Sequence, residues 1–285
     1  MNSTMIYKSL FAVLPDLKQF HSPSSTIYQF LKIIARLEAE ERFSAGHIGL
    51  QDFGVFGEIE FPFFSMGAIN SLDLFGLDEL ILFSFYWANK NQYNKVADIG
   101  ANIGLHSLVL SRCGYDVWSF EPDPIHFRQL QDNISRNGCA GVNLINAAVS
   151  AKDGSMEFVR VVGNTTGSHL AGSKRNAYGV LEKFPVKVVS IDAIFQWADL
   201  IKLDVEGHEK QILLATTTDH WTKVDAMVEV GSSENASEIF EHLRKTRINM
   251  FAQKRNWGIV DEVGDMPTSY KDGSLFISSK NSVPW

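Results

Sequence analysis

Apolar residues at Ile27, Phe30, Leu31, Ile34 and Leu37 repeat with helical spacing, and Ser25 or Thr26 stands where an N-cap belongs. This predicts an amphipathic helix. Residues 48–64 are aromatic and broken by glycine, a pattern that fits short strands better than a helix. Residues 72–90 read as a second helix packed on something larger. From Val96 the rhythm changes. Short apolar runs at 96–100, 116–122, 142–150, 198–207 and 224–231 alternate with helical patterns such as 125–136 and 236–245. Strand alternating with helix predicts a mostly parallel sheet covered on both faces, an α/β doubly wound fold. Two further strands are expected in an insert at 154–194, joined by the Gly/Ser/Asn-rich residues 163–179. Extended runs at 248–252 and 274–278 suggest an antiparallel edge. The division is a 1–90 N-terminal α+β extension and a 91–285 domain that holds the insert.

Composition changes this picture little. The chain has 285 residues, 45% hydrophobic and 21% charged, as in an ordinary globular protein. Its net charge of −7 disfavours non-specific nucleic-acid binding, which needs cationic surface. Cys113 and Cys139 are too few for a disulfide framework and read as small apolar filler in a reducing compartment. The apolar stretch 10–14 is stopped by Pro15 and Asp16, so it does not read as a signal peptide. The richest apolar run, 72–87, carries Asp73, Asp78 and Glu79 and does not read as a membrane span. A cytoplasmic protein is the expectation; nothing in the pattern speaks to oligomeric state.

Chemistry concentrates at three strand ends. The first is Asp98-Ile-Gly100-Ala-Asn102-Ile-Gly104, between a strand and a helix. Glycine lets the backbone turn tightly and approach a ligand, and the helix start offers free N–H groups. The spacing is not the G-x-G-x-x-G of dinucleotide folds. An acid two residues before the first glycine suits a ligand with a cationic part. The second is Glu121, 23 positions after Asp98, where this fold class grips ribose hydroxyls. The third is Lys202-Leu-Asp204-Val-Glu206-Gly207-His208-Glu209. Asp204 and Glu206, two apart, would share a face of a strand, and Gly207 would end it. Five titratable groups beside the ligand end of a sheet form an acid/base candidate.

Taken in order, DIGANIGLHSL, FEPDP, AAVS and KLDVEGHE resemble the FkbM family of S-adenosylmethionine-dependent methyltransferases, over about residues 95–230. The resemblance implies a Rossmann-like, seven-stranded sheet with a late antiparallel strand. It also implies methyl transfer, usually to oxygen, often on a sugar, glycan or secondary metabolite. Asp98, Gly100, Asn102 and Gly104 would line the amino-acid end of the cofactor, and Glu121 would hold the ribose. Asn146 and Ala147 would lie near adenine. Lys202, Asp204, Glu206 and His208 would face the methyl and the acceptor, with Asp204 or His208 as general base. His208 stands where the family pattern varies. Mg²⁺ is possible but not required: Asp204, Glu206 and Glu229 are carboxylates of the right type.

Three rivals stand beside this reading. An NAD-dependent oxidoreductase lacks its glycine fingerprint here. A nucleic-acid methyltransferase conflicts with the negative charge and lacks an Asn/Asp-Pro-Pro-Tyr/Phe motif. A non-catalytic cofactor-binding scaffold would share the glycines and acids but not the turnover. Specificity is expected in residues 1–90 and 154–194. His106 and His169 are read as packing and surface-loop residues, and the aromatics at 53–64 as core.

Overall fold

A computed structural model describes residues 6–139, 141–164, 167–173 and 180–285. The chain opens with α1 (Ile6–Val13) and α2 (Thr26–Phe43), the latter N-capped at Ser25. The helix forms, but its apolar stripe is not its buried face. Tyr28, Ala35, Ala39 and Phe43 are buried, whereas Phe30, Ile33 and Leu37 are 61–62% exposed. Small alanines let the helix approach closely, and the Glu38–Arg42 ion pair lies on the buried side. Residues 48–64 contain the two-residue strands β1 (Gln51–Asp52) and β2 (Glu58–Ile59), paired antiparallel. Phe53, Phe56 and Phe61 beside them are core, and α3 (Leu77–Ala88) follows.

The main layers then alternate: β3 (Lys95–Ile99), α4 (Leu105–Arg112), β4 (Asp116–Phe120), α5 (Pro124–Arg136) and β5 (Val142–Ile145). After β6 (Ala148–Ser150), β7 (Gly154–Val161), β8 (His169–Leu170) and β9 (Leu181–Ser190) come α6 (Ile191–Trp197), β10 (Leu200–Leu203) and α7 (Glu209–Leu213). β11 (Asp225–Val228), α8 (Ser233–Lys245), β12 (Asn249–Ala252), β13 (Gly258–Ile259) and β14 (Leu275–Ser278) complete the order.

The large sheet runs β13-β12-β14-β11-β10-β3-β4-β5. β14 is antiparallel to both β11 and β12, the late reversed strand expected. The sheet is Rossmann-like but has eight strands rather than seven, because two-residue β13 adds an antiparallel edge to β12. Side chains alternate between its faces. Val96 and Leu200 join the core shared with α1 to α5, while Ala97 and Ile201 join the core under α6 to α8.

Residues 142–150 are two strands instead of one. The Ala147 N–H donates to the Ile145 carbonyl at 2.9 Å, turning the chain out of the large sheet. β6 then pairs in parallel with β9, in a second sheet ordered β6-β9-β7-β8. β7 and β9, the two strands expected of the insert, pair antiparallel with each other. Within its Gly/Ser/Asn-rich stretch, 165–166 and 174–179 lie outside the described residues. Among the described residues, no helix is long and apolar enough to cross a membrane.

Candidate active site

β3 and β10 lie side by side in parallel, with Ile99 paired to Leu203, and the strand order reverses between them. Ligand crevices in such sheets open at this reversal, beyond the carboxyl ends of the strands. Gly100 and Asp204 are the next residues of the two strands. Gly100 has φ +80°, and a Cβ there would sit 1.7 Å from the Asp204 carbonyl oxygen. Asn102 follows at φ +52°, and Gly104 at φ +94° opens α4. Beside this turn lies a cleft lined by Gly100, Asn102, Glu121, Ala147, Asp204 and Glu206.

Glu121 also lines the cleft. The backbone N–H groups of Asn102 and Asp123 donate to its two oxygens at 2.9 and 2.8 Å. Burial outweighs these donors and pushes its carboxyl up to about 8. Asn102 Oδ1 is buried on the same cleft without a hydrogen-bond partner. Ala147, Phe158 and Leu170 add apolar surface. Asn146 does not line the cleft. Its side chain is exposed and donates to the Glu121 and Pro122 carbonyls at 2.7 and 3.2 Å.

Asp98 is placed differently from the expectation that it faces a cationic ligand. It is wholly buried beneath the turn and accepts from Ser107 Oγ at 2.6 Å. The parallel register sets it beside Lys202, whose Nζ lies 3.6 Å from Asp98 Oδ1 and 3.6 Å from Asp204 Oδ2. Lys202 also donates to the Gly100 carbonyl at 3.0 Å. Burial works against its charge, but the carboxylates of Asp204, Asp98, Glu79 and Glu229 prevail and raise its pKa. The ammonium is therefore a fixed strut between the two loops.

β10 ends at Leu203, so Asp204 and Glu206 sit on a turn and not on one strand face. Glu206 has φ +55° and Gly207 φ +104°. Glu209 holds this turn: its Oε1 accepts from the N–H groups of Val205 and Gly207 at 2.9 and 3.1 Å. Burial pushes Glu209 up to about 7. Asp204 and Glu206 both reach the cleft.

The sequence profile of the "Methyltransferase FkbM domain" matches residues 98–256, more than half of the chain. The chain belongs to the FkbM methyltransferase family. The hexuronic acid methyltransferase AglP of Haloferax volcanii is 24% identical over 164 residues, covering 56% of this chain and 65% of that protein. The methyltransferase sdnD of Sordaria araneosa is 25% identical over 169 residues, covering 47% and 64%. Each alignment thus spans less than two thirds of the relative. Among solved structures, a precorrin-6y C5,15-methyltransferase from Geobacter metallireducens aligns at 11% identity with a TM-score of 0.36, covering 67% of this chain and 82% of that one.

In this FkbM methyltransferase the structure brings Gly100, Asn102, Glu121, Ala147, Asp204 and Glu206 to one cleft. His208 stands apart. Its Nε2 lies 2.8 Å from Ser150 Oγ and its Nδ1 2.9 Å from Ser173 Oγ, so both ring nitrogens are occupied. Burial lowers its pKa to about 4. Among the described residues, no group of three or more His, Cys, Asp or Glu is arranged to hold a metal ion. His169, read from the sequence as a surface-loop residue, is instead buried on the cleft. Sequence reasoning missed the link from Tyr86 OH through His106 to Glu79, at 3.1 and 2.7 Å. Glu229 stood only for a possible metal. No local pattern marks these residues, because their partners come from distant segments.

Proposed function

We propose that this protein uses S-adenosylmethionine to methylate a hydroxyl oxygen on a small-molecule or glycan acceptor. The observation that carries this is the left-handed glycine turn pressed against the Asp204 loop, with buried Glu121 facing the same cleft. A side chain at position 100 would close that cradle. Unpartnered Asn102 Oδ1 and the Glu121 carboxyl supply hydrogen-bonding capacity for polar groups and a diol, and Ala147, Phe158 and Leu170 suit a flat apolar ring. Asn102 and Glu121 would hold the nucleoside. When bound, the cofactor supplies a methyl carbon on a positively charged sulfur, which departs as a neutral thioether.

The chain's own residues then have limited work. Holding the acceptor oxygen in place is worth about 7–11 kcal/mol. Asp204 takes the hydroxyl proton as the oxygen gains its new bond, a contribution of about 10²–10⁴ in rate. Lys202 fixes Asp204 and the Gly100 turn relative to one another. The hexuronic acid methyltransferase relative supports a sugar as the acceptor class. The experiment is incubation with S-adenosylmethionine and a panel of glycosides. The reading expects S-adenosylhomocysteine release with one methyl gained on an acceptor oxygen. Methyl found only on nitrogen or carbon would contradict it.

A further inference from the structure

A second, open cavity adjoins the first at Asp204. Leu82, Leu203, Met227 and Val228 give it apolar walls, and Asp204 lines both spaces, so the two meet at that side chain. Four segments build it: the first half of α3, the end of β10, the end of β11, and the loop before β14. Among the described residues, none of the insert lines it. Tyr270 stands on its wall with 66% of its surface exposed, a ring offered to solvent beside a polar pocket.

The charged groups on this wall are not equally available. Asp78 accepts from Tyr28 OH and Gln253 Nε2, both at 2.6 Å. Glu79 is engaged by His106, and Lys202 by Gly100, Asp98 and Asp204. Glu229 differs: its carboxyl group makes no hydrogen bond or ion pair with the described residues. It follows β11 next to Asp204, since Leu203 pairs with Val228 and the Glu229 N–H donates to the Leu203 carbonyl at 3.0 Å.

We propose that this cavity receives the acceptor, and that Glu229 selects one that offers hydroxyl hydrogens and carries no negative charge. A hydroxyl bound at Glu229 lies beside Asp204, where both cavities meet. An anionic acceptor would face four carboxyl groups and one ammonium already held by three oxygens, and such like-charge juxtaposition is a strong means of rejecting wrong partners.

The inference rests on the methyl-transfer reading, and its test separates the two. Wild-type protein and Glu229→Gln, loaded with S-adenosylhomocysteine, are titrated calorimetrically with a methyl glucoside and a methyl glucuronide. Turnover of both with S-adenosylmethionine is measured in parallel. The wild type should bind and methylate the glucoside at least about tenfold better than the glucuronide. Glu229→Gln should erase most of that difference while keeping its affinity for S-adenosylhomocysteine and its melting temperature. Equal binding of the two glycosides by the wild type would overturn the inference. So would unchanged discrimination in the variant, or binding of neither glycoside by the loaded protein, and methyl transfer itself could still stand. Failure to bind S-adenosylhomocysteine would overturn both.

Discussion

Arg160 on β7 grips Asp123, the N-cap of α5, through two hydrogen bonds: Nε to Oδ2 at 2.8 Å and Nη2 to Oδ1 at 2.7 Å. The Asp123 N–H in turn donates to Glu121. The insert therefore braces the carboxyl group that faces the cleft. Arg160→Ala would leave Asp123 buried and unpaired, at a cost of about 3–5 kcal/mol in unfolding free energy. It should also weaken S-adenosylhomocysteine binding. Arg160→Lys should recover only part of each loss, because an ammonium cannot reproduce the planar fork. Denaturant unfolding and calorimetry read both effects; an unweakened affinity in Arg160→Ala would remove the brace.

Gly100 can be no other residue. Its φ of +80° and the 1.7 Å approach of the Asp204 oxygen act together. Gly100→Ala should cost at least about 1–3 kcal/mol in backbone strain alone. The two loops must also separate, so cofactor binding should fall more steeply than stability. A variant with wild-type affinity would show that the loops need not touch.

Asp204→Asn keeps the shape of the junction between the cavities and removes its capacity to take a proton. Turnover should fall by about 10²–10⁴ with S-adenosylhomocysteine affinity retained. His208→Gln should lose far less, since both nitrogens of that ring are committed to serines. Comparable losses in the two variants would return His208 to the reaction.

Three buried groups near the site contribute to the pH dependence of stability. His208 sits at about 4 against an ordinary 6.5, so the folded state binds fewer protons between those values. Its contribution is present above pH 6.5 and is lost as pH falls towards 4. Glu121 has the opposite sign. With its pKa raised to about 8 from 4.5, its contribution is full below pH 4.5 and disappears as pH rises through 8. Glu209, at about 7, acts in the same direction. The melting temperature of cofactor-free wild type should thus fall more than that of Glu121→Gln between pH 6.5 and 8, and more than that of His208→Gln between pH 6.5 and 4. Parallel curves would contradict these assignments.

The sheet was readable because strand and helix periods alternate cleanly after Val96, and the glycine turn because only glycine serves at position 100. The split of 142–150 was hidden, since β5 and β6 are both apolar and Asn146 in the turn between them reaches back to the Glu121 carbonyl just after β4. The buried face of α2 was hidden as well, because alanines mark it less strongly than its exposed Phe30 and Leu37. At the site, Asp98 and Lys202 both stood out in the sequence, yet register, which no local pattern encodes, makes them partners of each other. The second cavity could not be seen at all, for its walls come from residues nearly two hundred positions apart.

Calorimetric titration of the purified protein with S-adenosylhomocysteine bears most directly on methyl transfer. Wild type should bind it with micromolar affinity, about −8 kcal/mol, and Glu121→Ala should lose that binding while remaining folded. A folded wild-type protein that binds no S-adenosylhomocysteine, or a Glu121→Ala variant that binds it as well as wild type, would contradict the cofactor site described above.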